Sequence, residues 1–204
     1  MADYVWHERH RFANHTVLEV GAVLAKADVH SHVILSDVST ILPVIRSGLA
    51  LNQLQESAKI CVRELMWGEM ETSRSVDRLV HDIEVQGRTI DYILGSDTFY
   101  DPVDFEKLLM VVSYIIHRHQ PSCKFITAYQ ERSAKRSIQY LLDKWMLRCR
   151  LIPKESFDFD EYRFLNYDDE DNEGMQQDKD DVTPVRVDAG TLSSVFLLEI
   201  SAKI

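Results

Sequence analysis

The chain has 204 residues, 45% of them apolar, which is enough for one globular domain with a real core and marginal for two. Its formal net charge of −10 argues against nucleic acid as a direct partner, because a phosphate-binding face needs clustered Lys and Arg; a basic protein partner fits better. Three cysteines without Cys-x-x-Cys spacing exclude a disulfide framework and a zinc ribbon, and the longest apolar run, residues 108–116, is too short to span a bilayer.

Residues 1–18 hold no apolar run of signal-peptide type, so a soluble chain with reduced thiols is expected in the cytoplasm and nucleus. Residues 5–12 read as the end of an amphipathic helix. Thr16-Val17-Leu18-Glu19-Val20 is a first buried strand closed by Gly21, and residues 22–27 leave room only for a short helix. His32-Val33-Ile34-Leu35-Ser36-Asp37 is a second strand that ends on an acid. Residues 41–54 repeat apolar positions at helical spacing: Leu42, Ile45, Leu49 and Leu54. Residues 60–65 form a third strand, followed by Met66-Trp67-Gly68. Residues 72–87 are polar and read as a loop with some helix.

Residues 89–94 are a fourth strand, and the stretch from its end to Pro102 is the most informative in the chain. Gly95-Ser96-Asp97 is turn chemistry at a strand's carboxyl end. Asp101 can cap the next helix, Pro102 suits its first position, and Asp104 completes a pattern like a capping box. Ligands of open α/β sheets bind outside the carboxyl ends of the strands, so an acidic turn there can bring a cofactor and a cationic substrate together.

The helix over residues 103–119 carries one apolar face of Phe105, Leu108, Leu109, Val112, Ile115 and Ile116. Residues 123–129 form a fifth strand. Residues 133–147 form a helix with Ile138, Leu141, Leu142 and Trp145 turned inward. Residues 148–153 and 194–202 are the last two strands, and with no helix between them they can pair as an antiparallel hairpin at one end of the sheet. Residues 158–190 are expected to be a long acidic loop before the last strand. From Asp158 to Asp181 there are 11 acids against Arg163 and Lys179, which accounts for −9 of the −10. A charge run of this kind is ordinarily a solvated loop, and it can also attract a basic tail. The βαβα alternation predicts one α/β domain over residues 1–204 with a doubly wound sheet.

The strand ends resemble those of the seven-stranded S-adenosylmethionine-dependent methyltransferases, in particular the protein-methylating methyltransferase-like group. The carrying residues are Val17 to Ala22, Val33 to Asp37, Trp67-Gly68, Leu94 to Pro102, Thr127 to Ser133 and Ile152 to Asp158. Six motifs in this order cover nearly the whole chain except the acidic insert. The resemblance implies a Rossmann-like seven-stranded sheet, mostly parallel with an antiparallel carboxyl-terminal hairpin. It implies S-adenosylmethionine as cofactor, held by Glu19, Gly21, Asp37, Trp67, Gly95 and Ser96. Asp37 would accept both ribose hydroxyls, which needs an ionised acceptor with two oxygens; its ordinary reading is a helix cap. Trp67 would lie flat beside the adenine; otherwise it is a core tryptophan.

Asp97, Tyr100 and Asp101 would sit where the methyl group is delivered, with Glu131 as a second carboxylate on the substrate side. Methyl transfer from a sulfonium is an in-line displacement, so the enzyme mainly holds two partners in line, and a carboxylate can orient a guanidinium or ammonium nitrogen. The implied substrate is a basic protein segment of histone type, with arginine the first target and lysine the alternative. No membrane partner is expected.

The pattern breaks in one region. The resemblance implies a glycine-x-glycine loop and a full helix after the first strand, yet only Gly21 is present and Glu19 and Asp37 stand 18 positions apart. That loop supplies amides for the cofactor's carboxylate, so affinity is expected to fall. The amino end also starts inside the helix that the family's preceding segment leads into, shortening the fold on that side. A truncated variant, an incomplete gene model and a chain that has lost catalysis all stay open. The last would be a binding partner of chaperones or chromatin proteins.

Other constellations point to less. His7/His10, His30/His32 and His117/His119 lack the Cys or carboxylate spacing of a zinc site, so no metal is expected. A nucleotide-binding oxidoreductase could also use Asp37 for a ribose, but Gly21 without companions and the Asp97-Thr98-Phe99-Tyr100 segment argue against it.

Overall fold

The computed structural model describes residues 1–20, 31–130, 138–159 and 195–203. Their strands are β1 (Thr16–Val20), β2 (His32–Asp37), β3 (Ile60–Glu64), β4 (Tyr92–Ser96), β5 (Lys124–Gln130), β6 (Leu147–Ile152) and β7 (Val195–Ala202). They form one seven-stranded sheet in the order β3-β2-β1-β4-β5-β7-β6. The first five run parallel, and β7 lies antiparallel between β5 and β6. The expected carboxyl-terminal hairpin is present, with its second strand inserted inward of its first.

Alternation along the strands divides the core in two. On one face Leu18, Val20, Ile34, Ile93, Phe125 and Ile200 meet α4 (Val76–Val85), α5 (Pro102–Tyr114) and α6 (Gln139–Lys144). On the other, Val17, Leu94, Ile126 and Leu197 meet Tyr4 of α1 (Ala2–His7) and Phe12 of α2 (Arg9–Phe12), while Val33, Leu35 and Val62 meet Ile45 and Leu49 of α3 (Leu42–Leu51). β1 is buried at all five positions, as a central parallel strand covered on both faces must be.

Several elements differ from the sequence reading. The polar stretch over residues 72–87 contains the ten-residue α4, whose Val76, Leu79, Val80 and Ile83 follow the i, i+3, i+4, i+7 rule behind a polar exterior. β4 begins and ends later than expected, so Gly95 and Ser96 belong to the strand and pair with Thr127 and Ala128. The amino-terminal helix breaks at Glu8 into α1 and α2, and its buried residues are Tyr4 and Phe12, with Trp6 exposed. α5 passes into a π-helical turn at Ile115–His119. There the 1% exposed His119 side chain accepts the Ile90 N–H at Nε2, so Nδ1 carries the proton toward Glu84 at 2.8 Å. Of the helix expected over residues 133–147, Gln139–Lys144 is helical; residues 133–137 lie outside the described residues, as do the short helix over residues 22–27 and residues 160–190 of the acidic loop.

Cys61, Cys123 and Cys149 are free thiols. Burial pushes the Cys123 thiol far up, which leaves it inert. No helix among the described residues is long and apolar enough to cross a membrane.

Candidate functional site

The topological switch point lies between β1 and β4, where neighbouring strands lead away in opposite directions. Register brings the carboxyl ends together there: Glu19 stands between Leu35 and Leu94, and Val20 opposite Ser36. One strand outward Asp37 pairs with Glu64, and on the other side Ser96 pairs with Ala128. Glu19, Asp37, Gly95 and Ser96 therefore share one edge of the sheet, although up to 77 positions separate them in sequence. Gly21 and Glu131 lie outside the described residues.

The β1–β2 side is held by side chain and backbone together. Glu19 is 3% exposed, on the face that carries Val17. The buried Ser36 hydroxyl donates to the Glu19 carbonyl at 2.7 Å and ties the two strand ends. Asp37 is half-buried, and its Oδ1 accepts the Val38 N–H at 2.7 Å. Its Oδ2 has no hydrogen bond among the described residues, so the carboxylate keeps an acceptor for a ligand hydroxyl. The Asp37 carbonyl accepts the Leu65 N–H at 3.0 Å, which places Trp67, two residues on, beside the same strand end. Trp67 is half-buried against the α4–α5 core, so its core reading and a ligand-facing role are compatible. Gly68 comes next at φ +86°, a conformation that favours glycine, and a Cβ there would lie 2.9 Å from the Lys107 stem on α5.

The β4 side is a turn split into inward and outward residues. The Asp97 N–H donates to the Ala128 carbonyl at 2.9 Å and extends the ladder with β5 by one bond. Asp97 then adopts φ +52°, in the left-handed region that Asp tolerates better than most residues. Thr98 and Phe99 turn into the core at 3% and 2% exposure, while Asp97 and Tyr100 face outward. Asp101 is the N-cap of α5, and its Oδ1 accepts the Val103 N–H at 3.0 Å. The expected reciprocal half of a capping box is replaced: the Asp104 carboxylate pairs with Lys107 at 2.8 Å.

Two features of the site's surroundings were missed in the sequence. Gly95 is buried, and its missing side chain makes room for Thr98 and Phe125. Nothing in the local sequence announces this, because Phe125 comes from another strand. Glu199 of β7 lies on the sheet face under the amino-terminal helices and gathers three cations: Arg11 at 2.6 Å, and Lys124 and Arg150 at 3.2 Å each. Burial pushes its carboxyl up, but the hydrogen bonds and charges of Arg11 and Lys124 outweigh that and hold it below the ordinary carboxylate range. The one signal was a lone acid inside an apolar strand. Arg11 also donates to the Tyr4 hydroxyl at 2.8 Å, so the cluster fastens α1 and α2 to the sheet.

At the opposite edge, His32 opens β2 almost fully buried. Its Nδ1 has no partner among the described residues and its Nε2 lies 3.9 Å from the Cys61 sulfur. Burial, with Arg88 and Arg63 nearby, drives its imidazole down to about 4. Among the described residues no group of three or more His, Cys, Asp or Glu is placed to hold a metal ion.

A model of the family described as lysine methyltransferase matches residues 6–143. The histone-arginine methyltransferase METTL23 of Xenopus laevis is 38% identical over 166 residues, covering 78% of this chain and 66% of its own. The human protein of the same name is 36% identical over 169 residues, covering 78% of this chain and 81% of its own. The chain thus spans just under two thirds of the frog protein's length. A solved structure of precorrin-6y C5,15-methyltransferase from Geobacter metallireducens matches 74% of this chain and 72% of its own with a TM-score of 0.47 at 9% identity, too loose a likeness to bear on the site.

Proposed function

We propose, from the premise that this chain belongs to the methyltransferase family described as lysine methyltransferase, that it moves a methyl group from S-adenosylmethionine to a side-chain nitrogen of a basic protein segment. The observation that carries the reading is the convergence of Glu19, Asp37 and the Gly95–Asp97 turn on one sheet edge beside the switch point. The residues present fit the cofactor. Asp37 retains a carboxylate oxygen for the ribose, and Trp67 offers a flat apolar face for the adenine. Glu19 and Ser96 stand on the strand ends beside them, and Gly21 is the further cofactor residue in this reading. When bound, S-adenosylmethionine supplies an electrophilic methyl on a sulfonium.

The chain's own contribution is orientation and charge. Asp97 and Tyr100 project outward from one turn, so a carboxylate and a phenol can flank the basic side chain and orient its nitrogen, which gives up a proton to the carboxylate or to water as the nitrogen–methyl bond forms and the sulfur–methyl bond breaks. Asp101 lies one residue beyond, and Glu131 is the further carboxylate in this reading. The names of the METTL23 relatives favour arginine in a histone as the target. The family's description favours lysine as the second reading. Action in the cytoplasm and nucleus, with chaperones as further partners, completes the proposal.

Calorimetric titration with S-adenosylmethionine and its demethylated product tests the first step. Binding in the micromolar range, about −8 kcal/mol, is the expected result. Asp37→Ala should abolish it with the melting temperature kept, whereas Asp97→Ala should bind the cofactor and transfer no methyl group. Histone peptides with a single arginine or a single lysine then separate the two targets. No binding by a well-folded sample would overturn the enzyme reading and favour a binding protein on a methyltransferase fold.

A further inference from the structure

Four residues after β4 form a device that the proposed chemistry does not itself explain. The chain runs up the strand to Gly95 and Ser96, turns through the left-handed Asp97, and brings Thr98 back beside Gly95. A Cβ on Gly95 would lie 2.9 Å from Thr98 Cγ2, 3.1 Å from Thr98 Oγ1 and 3.0 Å from Phe125 Cε2, so no side chain larger than hydrogen fits without displacing them. The Thr98 and Thr127 hydroxyls stand 3.4 Å apart, across the β4–β5 pair. Phe99 completes the anchor: it meets the Phe105 ring edge-to-face at 5.2 Å, Tyr129 at 5.9 Å and Phe125 at 6.3 Å. These contacts reach α5 and β5, the two elements that flank the turn.

We infer that Thr98 and Phe99 are a buried wedge that sets the direction of Asp97 and Tyr100, and that Gly95 is glycine because Thr98 of that wedge, together with Phe125, occupies its side-chain space. The physical reason is geometric. A left-handed residue is unfavourable unless its surroundings over-determine it. Here one strand-type hydrogen bond precedes Asp97 and two buried side chains come after it. The outward residues on either side of the wedge can then rotate little. All three are positioning residues, since they act through Asp97 and Tyr100. The expected effect on rate rests on the proposed methyltransferase function; the expected effect on the turn rests on geometry alone.

The test combines three readouts on the full chain: cofactor affinity by calorimetry, kcat and KM on a histone peptide, and hydrogen exchange of the Asp97 amide. Gly95→Ala should lower kcat by about tenfold or more, because a displacement of a fraction of an ångström at a reacting group is costly. The resemblance puts Gly95 beside the cofactor, but its side-chain space faces Thr98 and Phe125, so the variant's cofactor Kd should stay within about threefold of the parent. The Asp97 amide should exchange about tenfold faster, because its bond to Ala128 loosens. Adding Thr98→Ala to Gly95→Ala removes two of the three close contacts and leaves Phe125 to shift by a few tenths of an ångström, so kcat should recover in part toward that of Thr98→Ala alone. Loss of cofactor binding in Gly95→Ala that Thr98→Ala does not recover would overturn the inference and place Gly95 against the cofactor instead. So would an Asp97 amide that exchanges as in the parent. If the parent moves no methyl group the proposed function fails, and the exchange measurement alone supports or overturns the wedge. Should Gly95→Ala not fold, Phe99→Leu serves: faster Asp97 exchange supports the wedge, and unchanged exchange sinks it.

Discussion

His32 shows how one buried residue sets a pH window. Its imidazole is neutral in the fold, with its pKa lowered to about 4, against about 6.5 in an unfolded chain. Above that upper value both states are neutral and the residue makes no difference. As pH falls toward 4 the unfolded chain takes up a proton that the folded chain refuses, so stability is lost across that interval. Between pH 7 and pH 5 this amounts to about 2 kcal/mol. His32→Leu should remove that part of the pH dependence, and urea unfolding at the two pH values measures it. An equal loss in parent and variant would show that His32 is not the group responsible. At the same scale, Glu19, Asp37, Asp97, Tyr100 and Asp101 were legible as candidates because they fall in motifs that resemble the family's strand ends and the turns after them. Thr98 and Phe99 were not, since the polar turn around them gives no local sign that these two side chains fold back into the core.

α5 is the element on which the β4 turn depends. Its first turn has Pro102 at N1 and Asp101 as N-cap, so a donor that would otherwise lack a partner is satisfied where the chain leaves the site. Asp101→Ala should cost about 1 kcal/mol and lower the melting temperature by roughly 2–4 °C for a domain of this size. Asp101→Ser retains a capping oxygen and should restore most of that. If methyl transfer returns with stability in the serine variant, Asp101 serves the site as a cap. If stability returns and transfer does not, its charge acts on the substrate. The cap was readable in the sequence because it is a local motif. α4 carried a local signal too, Val76, Leu79, Val80 and Ile83 at helical spacing, but it lies within the polar stretch of residues 72–87 and was read as a loop with some helix.

At the scale of the whole molecule, the Glu199 cluster joins the amino-terminal helices to the carboxyl-terminal hairpin across 188 positions of sequence. A carboxylate this buried is stable only while its cations stay. Glu199→Gln should destabilise the fold by about 3 kcal/mol, since Arg11 would lose its charged partner within a partly buried site. Because the folded pKa is depressed, this contribution is present above the ordinary carboxylate range and is lost as pH falls through the folded value. Thermal unfolding of parent and variant, followed from pH 7 down through the acid range, should show a large difference at pH 7 that shrinks as the carboxylate protonates. Equal differences would mean that the cluster holds by packing and not by charge.

Local patterns in the chain carry the class of the fold and point to a candidate site. Strand and helix periods, central strands rich in apolar residues and acids at strand ends are all local, and together they select a doubly wound sheet and mark its carboxyl edge as the candidate site. Tertiary structure alone decided the insertion of β7 between β5 and β6, the meeting of Arg11, Lys124 and Arg150 on Glu199, and the fit of Thr98 and Phe125 into the space of Gly95. Each of these joins residues far apart in the chain. Their energies come from close packing and from charges removed from water, which depend on what lies alongside and not on what lies next in sequence.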